Sequence, residues 1–187
     1  MLLSADDLIR QISDPKTSVT FTLSGDLQVN ADWTVPKRSL PFHLIYYVTD
    51  SVMVGRVGDK PIRVGAATLL WLRAGGVHER GIEPGQPPFS VRYFRVALDR
   101  RGQPLRLASD FVLVPQAVES GAIVQQIVEE LPSRLTFGQD RLRAMLVLLF
   151  TSALRPIGSR PERDRTLSRS QRLALSHLSP PHSGMGS

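Results

Sequence analysis

The spacing of apolar residues changes once along this chain, near Pro115, and that change restricts the possible folds more than any other feature. Before it, from about residue 16 to residue 98, short runs alternate apolar and polar side chains, as Val19, Phe21 and Leu23 do, and turn-forming residues separate the runs. After it, apolar residues recur every three or four positions, which is typical of helices. The sequence therefore predicts a mainly β domain, a sandwich or barrel, with helices at its C-terminal end.

Three helices are predicted around these strands. A short helix over residues 5–12 precedes them, with Ser4 as its candidate N-cap. Two longer helices follow them, over residues 116–131 and 139–154. The last helix is apolar on nearly every side around residues 145–150, and a helix tolerates such a surface only when two of its sides are covered.

The composition divides the chain into three parts: a β domain with its short helix (1–115), a helical segment (116–155) and a basic tail (156–187). The net charge of +6 is concentrated at the C-terminal end, because residues 155–187 contain six Arg and only two acidic residues. The tail is rich in Pro, Ser, Gly and Arg and lacks the apolar content of a folded segment, so we interpret it as a solvated linker. A nucleic-acid-binding surface is the alternative.

The lack of cysteine and of long apolar segments excludes several classes of protein. The chain has no cysteine, so it forms no disulfide and no thiolate metal site. Its longest apolar run, residues 144–150, is far shorter than the roughly 20 residues of a membrane-spanning helix. The N-terminal residues lack the apolar segment of a secretion signal. We therefore expect a soluble, cytoplasmic protein without a membrane partner.

Residues 41–81, PFHLIYYVTDSVMVGRVGDKPIRVGAATLLWLRAGGVHERG, resemble the central segment of the sensor domain of AraC-type transcription regulators. That segment has a strand that begins with His or an aromatic residue, a hairpin with Gly, a strand that ends in Gly-Asp, and a Pro-x-Gly-x-x-His turn. Here Gly65 is followed by Ala66 in place of Asp, and Arg73 replaces the Pro of the turn that ends at His78. Gly58 and the Asp after it suit a tight hairpin turn.

The resemblance covers residues 4–155 and implies a cupin β-barrel, also called a double-stranded β-helix or jelly roll, followed by two antiparallel helices. It further implies that the barrel binds a small-molecule effector and that the helices form a homodimer. In this family, two helix-turn-helix units follow the linker, and residues 166–178 resemble only their beginning. We therefore expect this chain alone to bind DNA weakly and without sequence preference, through its tail arginines.

Aromatic and basic residues of the strands are the candidate ligand-binding groups. Tyr46 and Trp71 offer aromatic surface, and Arg73 and Arg92 are candidate anchors for a carboxylate. The predicted site consists of these four residues and the two histidines, His43 and His78. The alternative for each aromatic residue is a place in the core, for each arginine a place in solvent, and for each histidine a hydrogen bond to nearby backbone.

The same histidines argue against a metal centre. Enzymatic cupins bind a metal through a His-x-His pair, a Glu and a third His, whereas here Ile45 stands two residues after His43 and no Glu lies between His43 and His78. We therefore expect no metal, no cofactor and no catalytic residue. The alternative function is a stand-alone metal-dependent cupin enzyme, an oxygenase or isomerase.

The last helix carries the predicted dimer interface, formed by Leu142, Met145, Leu148 and Leu149 within a homodimer built on residues 116–155. An apolar surface of this kind is seldom left exposed on a monomer. A two-fold axis would let the same surface serve both subunits. The alternative is that the preceding helix and the tail cover these residues within one chain.

Overall fold

The computed structural model describes residues 1–30, 32–82, 85, 87–133 and 138–154. Residues Met1–Leu154 form one compact unit. The predicted tail, 156–187, lies outside the described residues. The strands, in chain order, are β1 (Leu2–Leu3), β2 (Thr17–Val29), β3 (Thr34–Ser39), β4 (His43–Val48), β5 (Val52–Val57), β6 (Lys60–Gly65), β7 (Thr68–Leu72), β8 (Val77–Gly81), β9 (Phe89–Arg100), β10 (Gln103–Pro104), β11 (Arg106–Leu107) and β12 (Phe111–Val114). The helices are α1 (Ala5–Ser13), α2 (Val118–Glu130) and α3 (Gly138–Ala153).

Ten of the strands form two antiparallel sheets. The first sheet has six strands in the order β10-β9-β4-β7-β12, with β2 also paired to β9, and the second has four strands in the order β3-β8-β5-β6. Successive strands mostly alternate between the sheets, which is the strand order of a jelly roll, the topology of cupin barrels. The predicted fold class, a mainly β barrel followed by two helices, is therefore confirmed. The predicted hairpin turn is also present, since Gly58 has a φ of +57° between β5 and β6.

β4 is buried on both of its faces, and this explains its continuous apolar sequence. Leu44, Tyr46 and Val48 point toward the second sheet, whereas Ile45 and Tyr47 point toward the helices. We call the space between the two sheets the lumen. Buried apolar side chains pack against one another there as one of the two cores of the domain: Val29, Leu44, Tyr46, Val48, Met53, Val57, Ile62, Val64, Leu70, Leu72, Phe89 and Val91.

The helices cover the outer face of the first sheet. α1 begins where predicted, because the Ser4 hydroxyl accepts a hydrogen bond from the backbone N–H of Asp7. α2 begins two residues later than predicted because Gln116 has a φ of +55°, which no helix accommodates. α2 then lies close to β4: a Cβ atom on Gly121 would be 2.6 Å from the Tyr47 ring. Among the described residues, no helix is long and apolar enough to cross a membrane.

Most of the predicted interface residues of α3 are buried within the chain's own core. Leu142, Met145 and Leu149 are at most 7% exposed, because this stripe of α3 packs into the core formed with α1, α2 and the first sheet. The prediction that these three residues form the dimer interface is therefore wrong, because a residue covered by its own chain offers no surface to a partner. Only Leu148, which is 52% exposed, lies on the surface.

Candidate ligand-binding site

A buried arginine lies in the lumen. Arg80 of β8 is only 3% exposed, and its guanidinium carbon lies 4.2 Å from the centre of the Tyr46 ring on the opposite sheet. None of its three nitrogens has a partner at ordinary hydrogen-bond geometry, although the Tyr46 side chain lies near enough to interact with the guanidinium both electrostatically and as a hydrogen-bonding group. Its neighbour on β5 is Gly55, whose missing side chain allows the two strands to approach closely. Buried polar groups in proteins are nearly always hydrogen-bonded, so this guanidinium is an exception that requires an explanation.

Two further arginines surround Arg80. Arg38 of β3 and Arg95 of β9 are half-buried, and the Nε atom of each is buried without a hydrogen-bond partner. The guanidinium of Arg95 lies 4.9 Å from the centre of the Phe42 ring. Burial lowers the pKa of Arg80, the neighbouring Tyr46 side chain partly offsets this, and the positive charges of Arg38 and Arg95 lower the pKa further. The lumen therefore holds a group of like charges that repel one another.

No carboxylate of the described residues balances this group. The ion pairs in that part of the chain are Arg10–Asp7, Arg73–Asp110, Arg92–Asp26, Arg100–Asp14 and Arg141–Glu130. None of them includes Arg38, Arg80 or Arg95. Charges removed from water are costly unless they are paired, and within the described ranges nothing compensates the positive charge of the lumen.

His78 adds a hydrogen-bond acceptor to the lumen. It is 3% exposed, and its Nδ1 lies 3.2 Å from the carbonyl oxygen of Gly76. Burial lowers the pKa of His78 to about 4, with a further contribution from the charge of Arg80, so the ring is neutral at pH 7. Because the Gly76 oxygen can only accept, Nδ1 carries the proton and Nε2 is left as an acceptor. This Nε2 is buried and has no partner.

His43 and Trp71, two of the predicted ligand-binding residues, face the helices and not the lumen. The Trp71 indole N–H donates to His43 Nδ1 at 3.0 Å, and His43 Nε2 donates to the carbonyl of Leu105 at 2.9 Å. Trp71 also stacks on Phe150 of α3, with ring centres 3.8 Å apart. Burial lowers the pKa of His43 to about 4. All polar atoms of this pair are satisfied, as expected of residues that hold α3 on the sheet.

Arg73 and Arg92 are also outside the lumen. Arg92 forms an ion pair with Asp26 at 3.0 Å, and its strand neighbours Val91 and Tyr93 take the lumen side. Arg73 pairs with Asp110 at 2.6 Å. It borders a surface cavity of about 490 Å³, whose lining is Met1, Leu2, Arg73, Ala74, Gly75, Pro104 and Arg106.

Of the six predicted residues, the structure thus brings only Tyr46 and His78 together in the lumen. Sequence reasoning missed Arg80, Arg38 and Arg95. One signal could have found Arg80: it lies two residues after His78 on the same strand, and residues two apart share a face.

The two histidines do not converge on a common site. His43 lies on the helix side of the first sheet, whereas His78 points from the second sheet into the lumen. Within the described part of the chain, no group of three or more His, Asp or Glu side chains could hold a metal ion.

No protein-family model and no curated protein matches the chain. Several solved structures are similar to it at low sequence identity. YhaK from Escherichia coli is 14% identical with a TM-score of 0.43, and the match covers 54% of this chain and 45% of YhaK. An apo ToxT variant from Vibrio cholerae is 10% identical with a TM-score of 0.45, over 91% of this chain and 68% of that one. A predicted oxalate decarboxylase from Thermotoga maritima is 14% identical with a TM-score of 0.37, over 51% and 75%. The chain thus spans less than half the length of YhaK.

Proposed function

We propose that this chain is the effector-binding and dimerisation domain of an AraC-type transcription regulator, with a small organic effector bound in the lumen. The observation that carries the proposal is that buried polar atoms without a partner at ordinary hydrogen-bond geometry gather in the lumen, above all the Arg80 nitrogens and His78 Nε2. Apolar residues of similar volume would give an equally or more stable core, so stability alone does not account for these side chains. A polar ligand that completes their hydrogen bonds does account for them.

β4 offers a route by which such a ligand would affect the helices. Tyr46 contacts Arg80 in the lumen, and the next residue, Tyr47, faces α2 at Gly121. A shift of this strand on ligand binding would therefore reach α2 directly. The proposed homodimer forms through residues 116–155, where Leu148 is the exposed apolar residue of α3. Ligand binding would then change how two such surfaces meet.

A thermal-shift screen with sugars, aromatic acids and acyl compounds tests the binding role, since a ligand that binds only the folded state raises the melting temperature. The two buried histidines provide a matched pair of variants. His78→Gln, in the lumen, should weaken the effect of a ligand. His43→Gln, on the helix side, should leave that effect unchanged. A screen without any stabilising compound, or a ligand whose effect depends on His43 and not on His78, would count against the proposal.

We also propose that the chain binds its effector without catalysing a reaction. By itself it would not recognise a specific DNA sequence. Metal analysis of the purified protein tests the enzymatic alternative. We expect no stoichiometric iron, zinc, manganese or nickel. About one tightly bound metal ion per chain would favour the metal-dependent enzyme. Tight, sequence-specific DNA binding that survives physiological salt would contradict the DNA part of the proposal.

A further inference from the structure

We infer that the effector is an organic anion whose carboxylate binds Arg80 in the lumen, an inference that rests on the proposed function. Tyr46 covers one face of the guanidinium, as its ring centre lies 4.2 Å from the guanidinium carbon. Apart from the nearby Tyr46 side chain, no group of the described residues satisfies the N–H donors at the edge of the guanidinium. Two parallel N–H donors on such an edge match the two oxygens of a carboxylate.

The burial of Arg80 requires a counter-charge. A guanidinium stays protonated in proteins, so Arg80 cannot escape the energetic cost of a buried charge by losing its proton. At 3% exposure, the guanidinium is shielded from bulk water. A bound anion would supply both the opposite charge and the hydrogen-bond acceptors.

Arg38 and Arg95 strengthen the preference for an anion over a neutral polar molecule. Arg38 is the cross-strand partner of His78, and Arg95 lies two residues from Tyr93, the cross-strand partner of Tyr46, so both arginines share the strand faces that carry this site. They are half-buried, whereas Arg80 is fully buried. This gradient of exposure places positive charge between the solvent and Arg80, where it would attract an anion toward the lumen.

The rest of the lumen indicates an apolar body for this anion. Tyr46 pairs with Tyr93, and two residues further along the same strands Val48 pairs with Val91. Beyond that point the side chains between the sheets are apolar and packed against one another, among them Phe89, so a ligand would enter by displacing them. A ligand with its carboxylate at Arg80 would therefore place an aromatic or aliphatic group against apolar surface.

Acid and amide pairs test the charge of the ligand directly. Benzoate and hexanoate carry the carboxylate, and benzamide and hexanamide are their neutral analogues of nearly equal size. Each is titrated by thermal shift into the unmodified protein, into Arg80→Gln and into Arg92→Gln, the control variant whose arginine lies on the other side of the sheet. We expect the acids to raise the melting temperature and the amides not to do so. Arg80→Gln should weaken acid binding by about 10- to 100-fold, and Arg92→Gln should leave it unchanged.

The other outcomes separate this inference from the proposed function. Equal stabilisation by acid and amide would overturn the inference and leave a neutral effector for the lumen. Acid binding that persists in Arg80→Gln would place the anion elsewhere, and the absence of a shift with all four probes would also overturn the inference. A second variant tests the premise without a ligand: Arg80→Met should raise the melting temperature of the free protein, because it removes an unpaired buried charge. A lower melting temperature would show that Arg80 serves the core.

Discussion

The pH dependence of folding gives a quantitative test of the buried histidine on the helix side of the sheet. His43 is fully buried, and that burial lowers its pKa from 6.5 to about 4. In the unfolded chain the same ring titrates near its ordinary value. Between these two pKa values the unfolded state binds a proton that the folded state does not, so the free energy of unfolding falls as the pH is lowered.

The magnitude follows from the two pKa values. One pKa unit corresponds to about 1.4 kcal/mol, and the full effect develops only between pH 6.5 and about pH 4. From about pH 6.5 to about pH 4.5, His43 alone should lower the free energy of unfolding by about 2 kcal/mol. Below the folded-state pKa the loss levels off, because both states are then protonated.

Urea denaturation followed by tryptophan fluorescence, repeated across this pH range, measures the effect. The comparison is between the unmodified protein and His43→Gln, since all other titrating groups, His78 included, are common to both. The variant should lose about 2 kcal/mol less than the unmodified protein between the two pH values. Equal pH dependence of the two proteins would refute the assignment of His43 as a neutral, buried group.

Three further substitutions test the packing and the assembly. Gly121→Ala places a Cβ atom 2.6 Å from the Tyr47 ring and should lower the free energy of unfolding by about 1–3 kcal/mol in urea denaturation. Tyr47→Leu should partly rescue this loss, and an unchanged stability would contradict the close approach of α2 to β4. Trp71→Phe leaves His43 Nδ1 without its donor and should cost about 1–3 kcal/mol, and a loss well below this would argue against that hydrogen bond. Leu148→Glu should convert a dimer to monomer in sedimentation experiments, whereas an unmodified chain that is already monomeric at micromolar concentration would end the dimer proposal.

The periodicity of apolar residues predicted the barrel and its helices. Strands bury every second residue on a face, and helices bury every third or fourth. It did not predict which side of a central strand faces the lumen. β4 lies between the lumen and the helices, so both of its faces are apolar, and alternation alone does not distinguish Tyr46 from His43. This is why His43 and Trp71 were expected at the ligand site and lie instead under α3.

The arginines show a second limit of sequence reasoning. An arginine on a strand usually reaches solvent, and Arg92 does form a surface ion pair as that rule suggests. Arg80 differs because it shares a strand face with His78, and the second sheet turns that face inward. The α3 leucines are a similar case: a helical stripe shows that a surface is covered, but not whether its own chain or a partner covers it.

Hydrogen–deuterium exchange with and without the most stabilising compound of the screen tests most directly whether the effector binds between the sheets. The method reports which backbone amides gain protection on binding. We predict slower exchange in β4 and β8, which carry Tyr46 and Arg80, and a smaller change in α2. Protection confined to residues 1–3 and 104–106, beside the surface cavity at Arg73, would contradict a site in the lumen.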